Sequence, residues 1–173
     1  MKNLPLVLLD ANVIIEAFRR NVWKSLSDKY QLFVPCTVLE EEVFYFQSKQ
    51  GKEGISLTPA IEAGKLKELS ALDAELQAFH SLLHPHFHLS IDPGEKEALA
   101  LLLSKRCKDH LFCTADGKAI QALAILSRSE QGLSFEKLVK DKVPSLPHYL
   151  SEKWFRQQLQ RGVEERHLWK LGG

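Results

Sequence analysis

The chain has 173 residues, a length that predicts one domain. Hydrophobic residues make up 45% of it and charged residues 26%, a composition that excludes collagen-like, coiled-coil and wholly disordered proteins. The formal net charge is +1, so the chain cannot hold nucleic acid by bulk positive charge alone.

The cysteine content and the hydrophobic pattern indicate a protein of the cytoplasm. The three cysteines are an odd number without a close pair, which favours reduced thiols over a disulfide framework. Asp10 interrupts the apolar start of the chain, which therefore does not resemble a signal peptide. No stretch reaches the roughly 20 apolar residues that a membrane-spanning helix needs. We expect a soluble, cytoplasmic protein with no membrane partner.

Three short apolar segments predict strands, and each is followed by a predicted helix. Residues 4–9 form a continuous apolar run, which is typical of a strand covered on both faces. Residues 31–35 and 110–114 predict two further strands. Strands that alternate with helices imply an α/β fold with a parallel sheet. Helical spacing is seen for Val13, Ile14, Ala17 and Phe18, for Val38, Leu39, Val43 and Phe46, and for Ile120, Leu123, Ala124 and Leu126.

The other segments predict connections and further helices. Residues 47–64 are polar and hold three of the nine glycines, so we expect a loop around a short element. Residues 70–83 predict an amphipathic helix, and a long helix follows from about Pro147. We take residues 1–130 as the main domain and residues 131–173 as a C-terminal helical extension packed on or beside it.

Acidic residues occur at the predicted ends of strands and starts of helices. Asp10 and Asp116 each follow a predicted strand, where open parallel sheets have their binding crevice. In the helix after residues 31–35, a helical wheel places Glu41 beside the apolar face. The same wheel places Glu40 toward solvent and Glu42 within the apolar stripe.

A further acidic segment is Asp92-Pro-Gly-Glu95-Lys-Glu97. Glu95 shares its helical face with Ala98 and Leu99, so its carboxylate needs a partner or a metal ion. Glu97 points to the opposite side and needs neither. The spacing of these acids also fits ordinary structural roles. Asp92 with Glu95 fits a capping box, Asn12 and Asp116 fit helix N-caps, and Glu41 fits a surface salt bridge.

Four separate segments nevertheless bring one acid each to the same predicted edge of the sheet. Clustered carboxylates raise one another's pKa unless a cation neutralises them. Since no Cys or His accompanies them, the expected cation is Mg²⁺ or Mn²⁺, which prefer oxygen ligands. Such a site suits metal-assisted hydrolysis of phosphodiester bonds.

Four motifs of the chain resemble those of the PIN-domain nucleases, and they occur in that family's order. They are Leu-Leu-Asp10-Ala-Asn12-Val-Ile-Ile, Val-Pro-Cys-Thr-Val-Leu-Glu-Glu41, Gly-Glu95-Lys-Glu-Ala-Leu-Ala-Leu and Cys-Thr114-Ala-Asp116. The resemblance implies a three-layer α/β/α sandwich with a mostly parallel sheet, and a Mg²⁺- or Mn²⁺-dependent ribonuclease that leaves a 5′-phosphate. It implies single-stranded RNA as substrate. Many members of the family are toxins of bacterial toxin–antitoxin pairs, so an antitoxin protein and a second copy of the chain are candidate partners.

Carried over position by position, the resemblance makes Asp10, Glu41, Glu95 and Asp116 the catalytic, metal-holding acids. Asn12 and Thr114 would orient these carboxylates or the attacking water. Glu42 stands where the family usually has an apolar residue, so the register leaves Glu42 open as the fourth ligand.

Two other functions remain open. Glu42 and the near-neutral charge are compatible with a catalytically silent module that binds RNA or protein. A phosphatase-like enzyme would also use an acid at a strand end, but it typically has Asp-x-Asp, and this chain has Asn12 in the second position.

Overall fold

The apolar runs of the sequence form the middle layer of a three-layer α/β/α sandwich. The computed structural model describes residues 4–41, 44–140 and 142–171. The strands are β1 (Leu6–Leu9), β2 (Gln31–Pro35), β3 (Tyr45–Ser48), β4 (Gly51–Gly54), β5 (Leu66–Leu69), β6 (His110–Cys113) and β7 (Gly132–Leu133). The helices are α1 (Ala11–Arg19), α2 (Trp23–Lys29), α3 (Cys36–Glu41), α4 (Thr58–Glu62), α5 (Asp73–Leu82), α6 (Pro85–His88), α7 (Pro93–Leu103), α8 (Gly117–Ile125), α9 (Phe135–Val139) and α10 (Glu152–Leu171).

The central sheet has the strand order β5-β2-β1-β6-β7, and neighbouring strands run parallel. From β1 the chain first adds β2 and β5 on one side, and it then adds β6 and β7 on the other. The direction of winding therefore reverses between β1 and β6. At such a switch point a crevice opens beyond the carboxyl ends of the two strands.

Both faces of β1 are buried, which explains its uninterrupted apolar sequence. Val7 and Leu9 belong to the core on one side of the sheet, with Ile14 of α1. Leu8 belongs to the core on the other side, with Leu99 of α7. A parallel strand covered on both faces needs an apolar side chain at every position.

The α/β class, the mostly parallel sheet and the C-terminal helix agree with the sequence prediction. The first and third strands are shorter than predicted, at Leu6–Leu9 and His110–Cys113. The sequence missed β5 because Lys67 and Glu68, two of its four residues, are charged and exposed. It also missed β7, which has two residues and lies in the segment assigned to the C-terminal extension.

The helix predicted to extend through Phe46 ends earlier. In the described residues α3 ends at Glu41, and Phe46 lies in β3. β3 and β4 form an antiparallel hairpin in the segment predicted to be a loop. Gly51 begins β4 with a φ of +118°, a backbone conformation that glycine adopts without strain. The backbone N–H and C=O groups of this segment form hydrogen bonds between β3 and β4. In a longer α3 they would have formed hydrogen bonds within the helix.

The long helix α10 packs on α8. Phe155 is buried in the core that α8 shares, and Trp154 and Trp169 pack against it. The side-chain amide of Gln121 on α8 donates to Oε1 of Gln158 on α10 over 2.8 Å. The aromatic side chains of the tail therefore serve the packing of the extension on the sandwich.

Among the described residues, no helix combines the length and the apolar character needed to cross a membrane.

Candidate functional site

Asp10 lies at the carboxyl end of β1, where the chain turns into α1. Its backbone N–H donates to the carbonyl of Cys113 over 3.1 Å, and its carbonyl accepts from the N–H of Ile14 over 3.2 Å. The residue is only 6% exposed. Burial raises the pKa of the carboxyl from 3.8 to about 6; a hydrogen bond from Thr114 opposes this rise, and the charge of Asp116 adds to it.

Thr114 connects Asp10 with the end of β6. Its hydroxyl donates to Oδ2 of Asp10 over 3.1 Å and accepts from the backbone N–H of Asp116 over 3.1 Å. Because Thr114 is buried, water competes little for these two bonds. The geometry is that of a residue that fixes the orientation of the Asp10 carboxylate.

Asp116 is the N-cap of α8, as its position in the sequence allowed. Its Oδ1 accepts from the backbone N–H groups of Lys118, over 2.7 Å, and Ala119, over 2.9 Å. Both of the described hydrogen bonds to this carboxylate fall on Oδ1, which leaves Oδ2 for another ligand. The capping role and a ligand role are therefore compatible in one side chain.

Glu95 lies in the first turn of α7 and is 5% exposed. Burial, followed by the charges of Asp10 and Asp116, raises the pKa of its carboxyl from 4.5 to about 9. Its Oε2 also accepts from the backbone N–H of Asp92 over 3.2 Å, as in a capping box. Glu95 thus caps its own helix and lies within electrostatic range of two other acids from two other segments.

The fourth predicted acid falls at the edge of the described residues. Glu41 is the last residue of α3, which begins directly after β2, the neighbour of β1. The side chain of Glu41, and all of the alternative ligand Glu42, lie outside the described part of the chain.

Glu97 corrects the sequence interpretation, which placed it toward solvent. It is 7% exposed, and its carboxylate accepts from the backbone N–H of Thr37 over 2.8 Å and of Ala71 over 2.9 Å. The wheel was wrong because α7 is covered on more than one side, by α3, α5, α8 and the sheet. Glu97 satisfies an N–H in the first turn of α3 that has no partner within that helix.

The first turn of α7 also lies directly against α3. A Cβ atom added to Gly94 would be 2.5 Å from Cγ2 of Val38. Only glycine permits this approach, so Gly94 holds the segment that carries Glu95 close to the helix that ends in Glu41.

Asp10, Glu95 and Asp116 have no basic partner among the described ion pairs. These ion pairs involve other acids, namely Glu16, Asp28, Glu75 and Glu152. No group of three His, Cys, Asp or Glu side chains stands in ready metal-binding geometry in the described ranges. Asp10 and Glu95 are nevertheless buried carboxylates whose pKa values neighbouring acids help to raise, and such groups without a basic partner are a donor set that a hard divalent cation fits.

A polar cavity of about 570 Å³ opens next to the segments that carry Asp10 and Asp116, although neither carboxylate is among its lining residues. Asn12 and Ala115 line it, two residues after Asp10 and one before Asp116. Asn12 is exposed in the first turn of α1, where Asp10, not Asn12, is the N-cap residue. Among the described hydrogen bonds, none joins the Asn12 side chain to a carboxylate, so Thr114 alone has the geometry expected for an orienting residue.

Sequence reasoning overlooked a buried acid, Glu16, at the wall of this cavity. Glu16 is 5% exposed and forms ion pairs with Arg19 and Arg20. A signal for it was present, because acids and bases three and four residues apart on a helix lie on one face.

Comparison with known proteins identifies no relative of this chain. The chain matches no protein-family model, no curated protein and no solved structure. The assignment of a function therefore depends on the chemistry of the site.

Proposed function

We propose that this protein is a Mg²⁺- or Mn²⁺-dependent endoribonuclease similar to the PIN-domain nucleases. The observation that carries the proposal is that Asp10 and Asp116 meet through Thr114 at the switch point of the sheet, with the buried Glu95 near enough that their charges raise its pKa. In the described residues no Lys or Arg forms an ion pair with any of them. A bound cation is the partner that this arrangement favours.

The three carboxylates would hold the cation through their oxygen atoms, with Glu41 as the fourth ligand of the proposal. When bound, the cation lowers the pKa of an attacking water and offsets negative charge on the phosphate. Thr114 keeps Oδ2 of Asp10 in a fixed direction. The N-terminal N–H groups of α8 fix Oδ1 of Asp116 and leave its other oxygen for the site.

The resemblance of the four motifs supports RNA as the substrate and a 5′-phosphate as the product end. It also supports a role as the toxin of a toxin–antitoxin pair, with an antitoxin protein as partner, a homodimer as the assembly and the cytoplasm as the compartment. A small gene overlapping the upstream end of the coding sequence would support the toxin role.

The test is the cleavage of single-stranded RNA by Asp10→Asn and Asp116→Asn. Each variant keeps the shape of the side chain and removes its charge, so we expect the rate in Mn²⁺ to fall by more than about 100-fold. EDTA should abolish cleavage by the unaltered protein. Asp28→Asn is the matched control, because Asp28 is exposed and pairs with Lys65 outside the site.

Full cleavage by the double variant, or cleavage that EDTA leaves unchanged, would contradict the proposal. Titration calorimetry with Mn²⁺ separates the catalytic function from a silent binding module. The site should bind Mn²⁺, and the binding should weaken in Asp10→Asn. A protein that binds RNA but neither Mn²⁺ nor Mg²⁺ would be the silent module.

A further inference from the structure

The cavity next to the segments that carry Asp10 and Asp116 has a wall that the proposed hydrolysis does not use. Beyond Asn12 and Ala115 it is lined by Glu16 and Arg19 of α1, by Tyr45 of the β3–β4 hairpin, and by Tyr149. Tyr149 lies in the short turn that precedes α10. The volume of the cavity, about 570 Å³, is within the range of sites that bind small organic groups.

A cluster of one acid and two arginines stands at this wall, and Glu16 and Arg19 of the cluster line the cavity. The buried carboxylate of Glu16 forms ion pairs with the guanidinium groups of Arg19 and, over 2.9 Å, of Arg20. The hydroxyl of Tyr149 also donates to Glu16, over 3.4 Å. Two guanidinium groups share one carboxylate, so the cluster of Glu16, Arg19 and Arg20 has one positive charge in excess, although Arg20 itself does not line the cavity. Because Glu16 holds both arginines, this charge is fixed in place before any ligand arrives.

Two exposed tyrosines stand at the same cavity. Tyr45 is 44% exposed and Tyr149 is 43% exposed. The ammonium group of Lys52, which does not line the cavity, lies 3.8 Å from the ring centroid of Tyr45. Exposed aromatic rings beside fixed positive charge form a surface on which bases stack while the phosphate backbone is neutralised.

We propose that this cavity binds an unpaired nucleotide of single-stranded RNA next to the phosphate at the carboxylates, with Tyr45 and Tyr149 stacking on its base and Arg19 facing its phosphate. The inference rests on the proposed function for the chemistry of the neighbouring site. It goes further in naming the residues that select an unpaired strand. A base inside a duplex is already stacked on its neighbours, so its face is not available to these rings.

The experiment measures binding without cleavage. Fluorescence anisotropy in EDTA compares a labelled, unstructured RNA octamer with the same RNA as a duplex. We expect Tyr45→Ala and Tyr149→Ala each to weaken octamer binding by about 5- to 100-fold, the range for loss of one stacked base. Tyr149→Phe should bind nearly as the unaltered protein, because it keeps the ring. Leu89→Ala should have no effect, since Leu89 is 85% exposed and does not line the cavity.

The outcomes separate this inference from the proposed function. RNA cleavage that persists while both alanine variants bind the octamer normally would overturn the inference and leave the nuclease proposal intact. Octamer binding that depends on the tyrosines, without any cleavage in Mn²⁺, would support the cavity and contradict the nuclease proposal. Equal affinity for octamer and duplex would overturn the inference. Tyr45→Ala removes an exposed side chain, so unchanged melting of this variant is the check on folding.

Discussion

Two kinds of buried carboxylate occur within a few residues of each other. Glu16 is buried with two arginines, and Glu97 is buried with two backbone N–H groups. Asp10 and Glu95 are buried beside other acids, and their carboxyl pKa values are raised. Glu16 and Glu97 have the partners that a structural acid needs. Ionisation of Asp10 and Glu95, in contrast, lowers the stability of the folded protein. Acids of the second kind cluster at functional sites.

The raised pKa values predict an unusual pH dependence of stability in the metal-free protein. The pKa of Asp10 rises to about 6 and that of Glu95 to about 9, from ordinary values of 3.8 and 4.5. Between pH 4 and pH 9, the folded protein therefore holds protons that the unfolded chain releases. Stability should fall as the pH rises through this window, and these two acids contribute no pH dependence below it.

Thermal melting in EDTA at several pH values measures this effect. Glu95→Gln should flatten the decline and raise the melting temperature at pH 8, whereas Glu62→Gln, an exposed control, should follow the unaltered protein. Added Mn²⁺ should raise the melting temperature more at pH 8 than at pH 5. A slope that is the same in Glu95→Gln would contradict the assignment.

At the scale of elements, the contact between α3 and α7 sets the distance between the segment that ends in Glu41 and the segment that carries Glu95. Glu97 binds the first turn of α3, and Gly94 lies against Val38 of the same helix. Glu97 also binds the N–H of Ala71, just before α5. One carboxylate thus ties three segments together.

Gly94→Ala should loosen the contact between α3 and α7. The added methyl group would be 2.5 Å from Cγ2 of Val38, whose β-branched side chain has little freedom to turn away. We expect a loss of about 1–3 kcal/mol in the free energy of unfolding, measured by urea denaturation. Mn²⁺ affinity should fall by about 10-fold or more, because Glu95 moves with its helix.

Gly54→Ala is the control for this substitution, because a Cβ atom at Gly54 has no heavy atom within 4 Å. It should change the stability by less than about 0.5 kcal/mol. Equal effects of the two substitutions would show that α7 does not depend on close approach to α3.

Some contacts between elements can be predicted from the sequence, and others cannot. Asp10 and Asp116 could be placed together because carboxyl ends of parallel strands share one edge of a sheet. The partners of Glu97 could not be found, since Thr37 and Ala71 are distant in sequence and α7 is covered on several sides. The hairpin was hidden because Tyr45 and its neighbours continue the helical spacing of apolar residues before it.

At the scale of the molecule, the C-terminal extension does more than cover the sandwich. Helix α10 packs on α8, the helix that Asp116 caps, and the turn before α10 supplies Tyr149 to the cavity. The two helices approach closely at Gly162, where an added Cβ atom would overlap the carbonyl of Gln121 and lie 2.9 Å from Cβ of Ala124.

Gly162→Ala should therefore destabilise the protein. On an exposed helix, alanine in place of glycine stabilises by about 1 kcal/mol, so the sign of the change tests the packing. We expect a loss of about 1–3 kcal/mol in urea denaturation, because α10 must move away from α8. Gln157→Ala, at an exposed position of α10, should stay within about 0.5 kcal/mol of the unaltered protein. A gain in stability for Gly162→Ala would contradict the contact.

The outer strands of the sheet have a consequence for how the protein behaves in concentrated solution. β5 ends the sheet on one side with four residues, of which Lys67 and Glu68 are exposed, and β7 ends it on the other side with two. Neither of these edge strands presents a long row of unpaired N–H and C=O groups, flanked by apolar side chains, to a neighbouring molecule. Refolding from denaturant at high concentration should therefore produce little strand-to-strand aggregation.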